Sequence, residues 1–290
     1  MTDVPRHDVP LFGRSGFTLI DGRQIHYLEW GAGGSPAVLC LHGGGQTAYM
    51  FEELGAALRE RYHVLAPDLP DHGDSDPVDA TDRHALAATV QPFCADFGLS
   101  RIAIVGASLG GILAITYAAQ RADAVGAIVL IDVGHRLEEA GVMKIMDFMK
   151  AHESFGSLEE AAAEIAKYLP YRKAVRPERL RRNLRQRADG RWIWKHGYSR
   201  RLRADGELHA RTWRNVIDGL DRDAAALRCP VLVLRGAASD VLSDEGAQEV
   251  TTLIPNARLA IVDNAGHLAA GDNPSSTVNL VSSFLNEIRW

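Results

Sequence analysis

The chain has 290 residues, 46% of them hydrophobic and 24% charged, with three cysteines and a formal net charge of −5. That size suits one α/β core carrying an insertion, and the acidic balance gives no footprint for a nucleic-acid partner. No stretch approaches the roughly 18 apolar residues of a membrane helix, residues 1–8 lack the apolar core of a secretory signal, and Cys40, Cys94 and Cys229 are spaced for neither a disulfide framework nor a zinc site; no membrane association and a cytoplasmic location are expected.

In chain order, residues 17–20 and 24–28 are β-rich runs joined by Asp21-Gly22, a tight-turn pair, and predict an antiparallel hairpin. Short apolar runs follow at 37–41, 62–66, 102–105, 127–131, 231–234 and 259–262. Helical patterns at 83–97, 109–121, 243–254 and 274–288 separate most of them. Strands that alternate with helices predict a mostly parallel eight-stranded sheet covered by helices on both faces. Between the sixth and seventh runs lie about a hundred residues with helical periodicity and no convincing strand. The division expected is a core of residues 1–133 and 228–290 with a helical cap of residues 134–227.

Within that insertion, Met143, Ile145, Met146, Phe148 and Met149 cluster early, and Trp192, Trp194, Tyr198 and Trp213 come later. Packing inside the cap accounts for most of them, with Trp192 and Trp194 the better candidates for a substrate pocket. Arg176, Arg179, Arg181, Arg182, Arg185 and Arg187 alternate with acids and leucines at helical spacing, which predicts a solvated helix face.

The chemistry concentrates in Gly106-Ala107-Ser108-Leu109-Gly110-Gly111, a serine between an apolar strand and a helix. A serine on so sharp a turn requires small neighbours two residues to either side, which Gly106 and Gly110 provide, and the helix start behind it aims free amides at a developing oxyanion. Ser108 needs a base. His267, in a glycine-containing loop after the last strand, fits best; His7, His84, His152, His196 and His209 fall in terminal or helical segments and are expected to be exposed. The base in turn needs an acid to fix its tautomer. Asp240 and Asp132 both follow strands in the required chain order; Asp240 is favoured for the room its loop offers, and Asp132 is expected to hydrogen-bond loops near the cap entrance or to contact substrate. Leu109 and Gly44, with Gly43 second, are the expected oxyanion donors, because the run Leu41-His42-Gly43-Gly44-Gly45-Gln46-Thr47 lets backbone approach a substrate. The lysine of a phosphate-binding loop is missing from this run. His42 is expected to brace the loop, while Gln46, Tyr49, Met50 and Phe51 either contact substrate or pack a helix start.

These segments, together with Asp68-Leu69-Pro70-Asp71-His72-Gly73-Asp74-Ser75 and the pair 236–240 with Gly266-His267, resemble the α/β-hydrolase fold superfamily from Phe17 to Trp290. Pro70-Asp71 departs from the pair common in relatives. The resemblance implies the α/β-hydrolase fold, with the helical cap inserted after the sixth strand, and a small-molecule substrate without a cofactor. Serine at the elbow separates the chain from members similar to epoxide hydrolases or haloalkane dehalogenases, where an aspartate attacks. Cleavage of a small carboxylic ester or lactone is therefore expected, by a monomer or homodimer. Relatives that share such a triad also hydrolyse carbon–carbon bonds of ring-cleavage products, act as cofactor-free perhydrolases, or serve as non-catalytic ligand receptors.

Overall fold

The computed structural model describes residues 10–78, 82–172, 174–197 and 216–290. Strands β1 (Arg14–Ile20) and β2 (Arg23–Trp30) form the hairpin, turning at Asp21 and Gly22 with φ of 49° and 75°. Next come β3 (Ala37–Leu41), β4 (His63–Pro67), β5 (Ile102–Ala107) and β6 (Val125–Ile131). The insertion contributes β7 (Ser154–Phe155), β8 (Leu184–Gln186) and β9 (Trp192–Trp194), before β10 (Val231–Gly236) and β11 (Ala257–Val262) complete the core. The core strands make one eight-stranded sheet in the order β1-β2-β4-β3-β5-β6-β10-β11. From β4 to β11 all pairings are parallel, and β2 is antiparallel to both of its neighbours.

The helices are α1 (Glu52–Leu58), α2 (Arg83–Ala87), α3 (Val90–Asp96), α4 (Leu109–Gln120), α5 (Glu139–Ala151), α6 (Leu158–Tyr168), α7 (Leu220–Ala226), α8 (Asp244–Leu253), α9 (Ala269–Asp272) and α10 (Pro274–Asn286). Alternate strand residues feed two cores. Leu39, Leu41, Ile102, Ile104, Ile128 and Leu130 pack under α3, α4, α7 and α8. Their chain neighbours Val38, Cys40, Ala103, Val105, Ala127 and Val129 pack under α1, α9 and α10. Burial on both faces explains why these strands read as unbroken apolar runs.

Two expectations are corrected. The single helix expected over 83–97 is two, α2 and α3, with Thr89 between them spending its hydroxyl on the Leu86 carbonyl (2.7 Å). The insertion is also not all helical, because β7, β9 and β8 form a small antiparallel sheet. Its hairpin turns at Asp189-Gly190, with Gly190 at φ 82° and the Arg187 amide bonded to the Arg191 carbonyl (2.8 Å). Unlike Asp21-Gly22, where both residues take positive φ, this longer connection between β8 and β9 has its positive φ at the glycine alone.

The arginine run is corrected as well. It forms a short 3-10 turn, Pro177–Arg182, followed by β8. Arg182 points inward, pairing both guanidinium nitrogens with the buried Glu52 carboxylate (2.8 and 3.0 Å) and lying 4.6 Å above the Tyr49 ring. Burial alone would push the Glu52 carboxyl up, yet Arg182, the Leu11 amide and Arg179 outweigh it and hold the group below its ordinary range. An ion pair thus ties the insertion to the first core helix.

Candidate active site

Ser108 sits at the end of β5 with φ 48° and ψ −116°, a backbone region that a residue bearing Cβ occupies only when its surroundings enforce it. Its amide is held by the Ile131 carbonyl of β6 (3.1 Å), and its own carbonyl receives the amides of Gly111 and Ile112 (2.9 and 3.1 Å). The amides of Leu109 and Gly110 precede these in the first turn of α4, where no earlier helical carbonyl exists for them. The small-residue frame is a steric requirement: a Cβ on Gly106 would lie 2.5 Å from the Gly110 carbonyl oxygen, and one on Gly110 would lie 2.0 Å from that of Leu41.

His267 arrives in the loop after β11. Its Nδ1 lies 2.8 Å from Oδ2 of Asp132, which leaves Nε2 as the remaining ring nitrogen. Asp132 is fully buried at the end of β6 and adopts φ 53°, a left-handed conformation that aspartate tolerates better than most residues. Its Oδ1 accepts the Gly236 amide (2.8 Å), and its Oδ2 also receives the Ser239 hydroxyl (2.5 Å).

The expectation that Asp240 pairs with His267 is therefore corrected. Asp240 accepts a hydrogen bond from Lys144 of α5 (2.7 Å), and its side chain is 47% exposed. Packing explains the difference: α5 seats Gly141 so closely on this loop that a Cβ there would lie 2.0 Å from the Asp240 carbonyl oxygen. Asp132 does hydrogen-bond a loop, through Gly236 and Ser239, but it is fully buried and not among the residues lining the cavity, so the expected substrate contact is corrected.

Ser108, Leu109 and His267 open on one cavity of about 360 Å³. Gly43, Gly44, Gly45 and Gln46 line it too, and a Cβ on Gly43 would stand 3.4 Å from that of Ser108. The glycines form a turn in which the Gln46 amide donates to the Gly43 carbonyl (3.1 Å) and Gly45 takes φ 74°. His42 braces it as expected: Nδ1–H donates to the Gly43 carbonyl (2.8 Å), and Nε2 accepts the Leu69 amide (2.8 Å). Burial pushes the His42 imidazole below its ordinary range, only partly countered by Asp68. His72, at 5.1 Å from the His42 ring, is pushed well below by burial as well.

From the insertion, Ile145, Met146, Phe148 and Met149 line the cavity, a correction to their expected role in cap packing. The two tryptophans part company. Trp194 reaches the cavity and hydrogen-bonds the His152 carbonyl through Nε1 (2.7 Å), whereas Trp192 is buried against Phe155, Leu158, Ala161 and Leu184. Tyr49 is buried 6.1 Å from the His26 ring and is not a cavity residue; Met50 and Phe51 pack in the core beside it. His196, expected to be exposed, is half-buried, stacked on Trp194 and part of the cavity wall. His152 is also only partly exposed, its Nδ1 donating to the Phe148 carbonyl (3.0 Å). The expectations for His7, Tyr198, His209 and Trp213 lie outside the described residues.

Among the described residues, one cluster, His26, Asp68 and Asp74, brings metal-ligating atoms within 4.8 Å of one another. Those atoms already serve each other and the backbone. His26 Nδ1–H donates to Asp68 (2.7 Å), the Ala48 amide donates to the same carboxylate (2.7 Å), and Asp74 takes Lys195 of the insertion (2.9 Å). The cluster is a hydrogen-bond hub that anchors the loop after β4. No described helix is long and apolar enough to cross a membrane.

A family model for the alpha/beta hydrolase fold matches residues 36–274. The chain is 30% identical over 283 residues to the esterase Rv0045c of Mycobacterium tuberculosis, an alignment that covers 92% of this chain and 88% of that protein. It is also 26% identical over 256 residues to a 2-(acetamidomethylene)succinate hydrolase of Mesorhizobium japonicum, covering 88% and 89% of the two chains. A crystal structure of E-2-(acetamidomethylene)succinate hydrolase superposes with a TM-score of 0.82 at 22% identity, over 94% of this chain and 99% of that one.

Proposed function

The chain belongs to the α/β-hydrolase fold family, and on that premise we propose that it is a serine hydrolase cleaving a small carboxylic ester or lactone through an acyl-enzyme. The observation that carries this reading is the 2.8 Å contact of His267 Nδ1 with buried Asp132, beside a strained Ser108 that opens on the same cavity as His267.

In this mechanism Ser108 Oγ attacks the carbonyl carbon while its proton passes to His267 Nε2. Asp132 keeps Nδ1 protonated and stabilises the imidazolium without taking the proton itself. The tetrahedral oxyanion accepts hydrogen bonds from the amides of Leu109 and Gly44. The orientation of Gly44 follows from peptide geometry: the Gly43 carbonyl is held by His42 and Gln46, and in a trans peptide the Gly44 N–H points the opposite way. Collapse of the intermediate returns the proton to the leaving oxygen, and water repeats the sequence to release the acid.

We assign the insertion between β6 and β10 the role of a cap over this site. Its Ile145, Met146, Phe148 and Met149 give the acyl group an apolar, adaptable wall, and the cavity volume falls in the range of small-molecule sites. A fluorophosphonate tests the assignment. One label should appear on the peptide carrying Ser108, and turnover should follow on a panel of p-nitrophenyl esters and lactones. Labelling of Ser108→Ala at an undiminished rate would overturn the reading, and turnover confined to ring-fission diketones would move the substrate class to carbon–carbon bonds.

A further inference from the structure

We propose that Ser239 is a positioning residue for the Asp132–His267 pair, acting as a hydroxyl donor that fixes the carboxylate oxygen on which the histidine rests. The inference depends on the serine-hydrolase reading above. Its basis is the direction in which the Ser239 proton must point. The amides of Val241 and Leu242 both donate to Ser239 Oγ (3.2 Å each), so its acceptor capacity is taken by backbone. Its own hydrogen is then directed to Asp132 Oδ2, 2.5 Å away, the same oxygen that meets His267 Nδ1.

The loop holding Ser239 is itself locked to the histidine loop. The Ala238 amide donates to the Ala265 carbonyl (2.9 Å), and the Ser239 amide closes a turn on Gly236 (2.9 Å). Gly236 passes so near the histidine loop that a Cβ there would lie 2.1 Å from the Gly266 carbonyl oxygen. The end of β10 thus holds the acid from one side and the base loop from the other. A hydroxyl donor on a buried carboxylate stabilises its charge and restrains its rotation, and both effects reach the substrate only through His267.

Ser239→Ala, Ser239→Cys and Asp132→Asn should be compared on p-nitrophenyl butyrate across the pH range, with proton NMR of the downfield Nδ1–H resonance of His267. Ser239→Ala should lower kcat by about 10- to 100-fold, the range for a hydrogen bond to a charged group, and leave KM within about twofold because the side chain acts through Asp132. The acidic limb of the rate profile should move to higher pH, since a carboxylate with one donor fewer holds the imidazolium more strongly. The downfield resonance should move with it, and Ser239→Cys, a weaker donor, should fall between. Unchanged kcat, acidic limb and resonance in Ser239→Ala overturn the inference; if that variant does not fold, the same three readings on Ser239→Cys decide it. Full activity in Asp132→Asn would instead remove the underlying mechanism, whereas its loss beside an unaffected Ser239→Ala removes this inference alone.

Discussion

The ends of β6 and β10 each present an aspartate to the same region, and they have opposite environments. Asp132 follows β6 directly, is fully buried, and takes hydrogen bonds from the Gly236 amide, the Ser239 hydroxyl and His267. Asp240 lies four residues past β10 on the freer loop, half-exposed and paired with Lys144. Reach along the chain favours Asp240, but α5 holds its backbone and Lys144 takes its carboxylate. The comparison teaches that the carboxylate meeting His267 is selected by the donors that surround it. A carboxylate buried without such donors would be protonated rather than functional.

The largest effect that could break this comparison is expected at Asp132. An amide in its place preserves shape but cannot hold the same histidine tautomer, so kcat should fall by as much as about 10⁴-fold, or about 5.5 kcal/mol of transition-state stabilisation. Steady-state kinetics on folded Asp132→Asn measures it, and a loss under tenfold would contradict the assignment.

A smaller effect separates buried from exposed titrating groups. His42 and His72 are held below the ordinary imidazole range by burial, so the unfolded chain binds their protons first as pH falls. Their contribution to stability is complete above about pH 6.5 and is lost progressively below it, with a slope of up to about 1.4 kcal/mol per pH unit for each excluded proton. Thermal melting between about pH 7.5 and 5 should show Tm falling on the acid side, and His72→Gln should flatten that fall. An equal slope in the variant would remove His72 from the account. The buried Asp68 acts in a lower window. Burial alone would raise its carboxyl, but the His26 contacts hold it below the ordinary range, so its contribution disappears only as pH falls through that depressed value.

The smallest effect belongs to Asp240. Its pair with Lys144 is solvent-exposed on both sides, a class worth at most about 1 kcal/mol. Asp240→Asn should change kcat by less than about threefold and Tm by little. A loss matching that of Asp132→Asn would return the acid to the β10 loop.

Much of the site was legible along the chain because its parts are local. The elbow needs small residues within two positions of Ser108, and the steric contacts at Gly106 and Gly110 bear that reading out. His42 was read as a brace, and its two ring nitrogens hold the loops at 43 and 69. Ser239 carried no such signal, since its hydroxyl serves a carboxylate 107 residues earlier. Trp192 and Trp194 are equally aromatic and, two residues apart, share one face of β9 and pack on the same small core of the insertion, yet only Trp194 also reaches the cavity. The arginine run had helical spacing, but Glu52 on α1 turned Arg182 inward.

Sequence alone determined the eight core strands, the turn at Ser108 and the loop that carries His267. Each depends on apolar periodicity or on backbone freedom at a glycine, properties expressed within a few residues. Only the tertiary structure decided which aspartate meets His267, which insertion side chains wall the cavity, and which arginine binds the core. Those outcomes turn on burial and on hydrogen-bond donors brought together from distant segments, and no short stretch of the chain contains both partners.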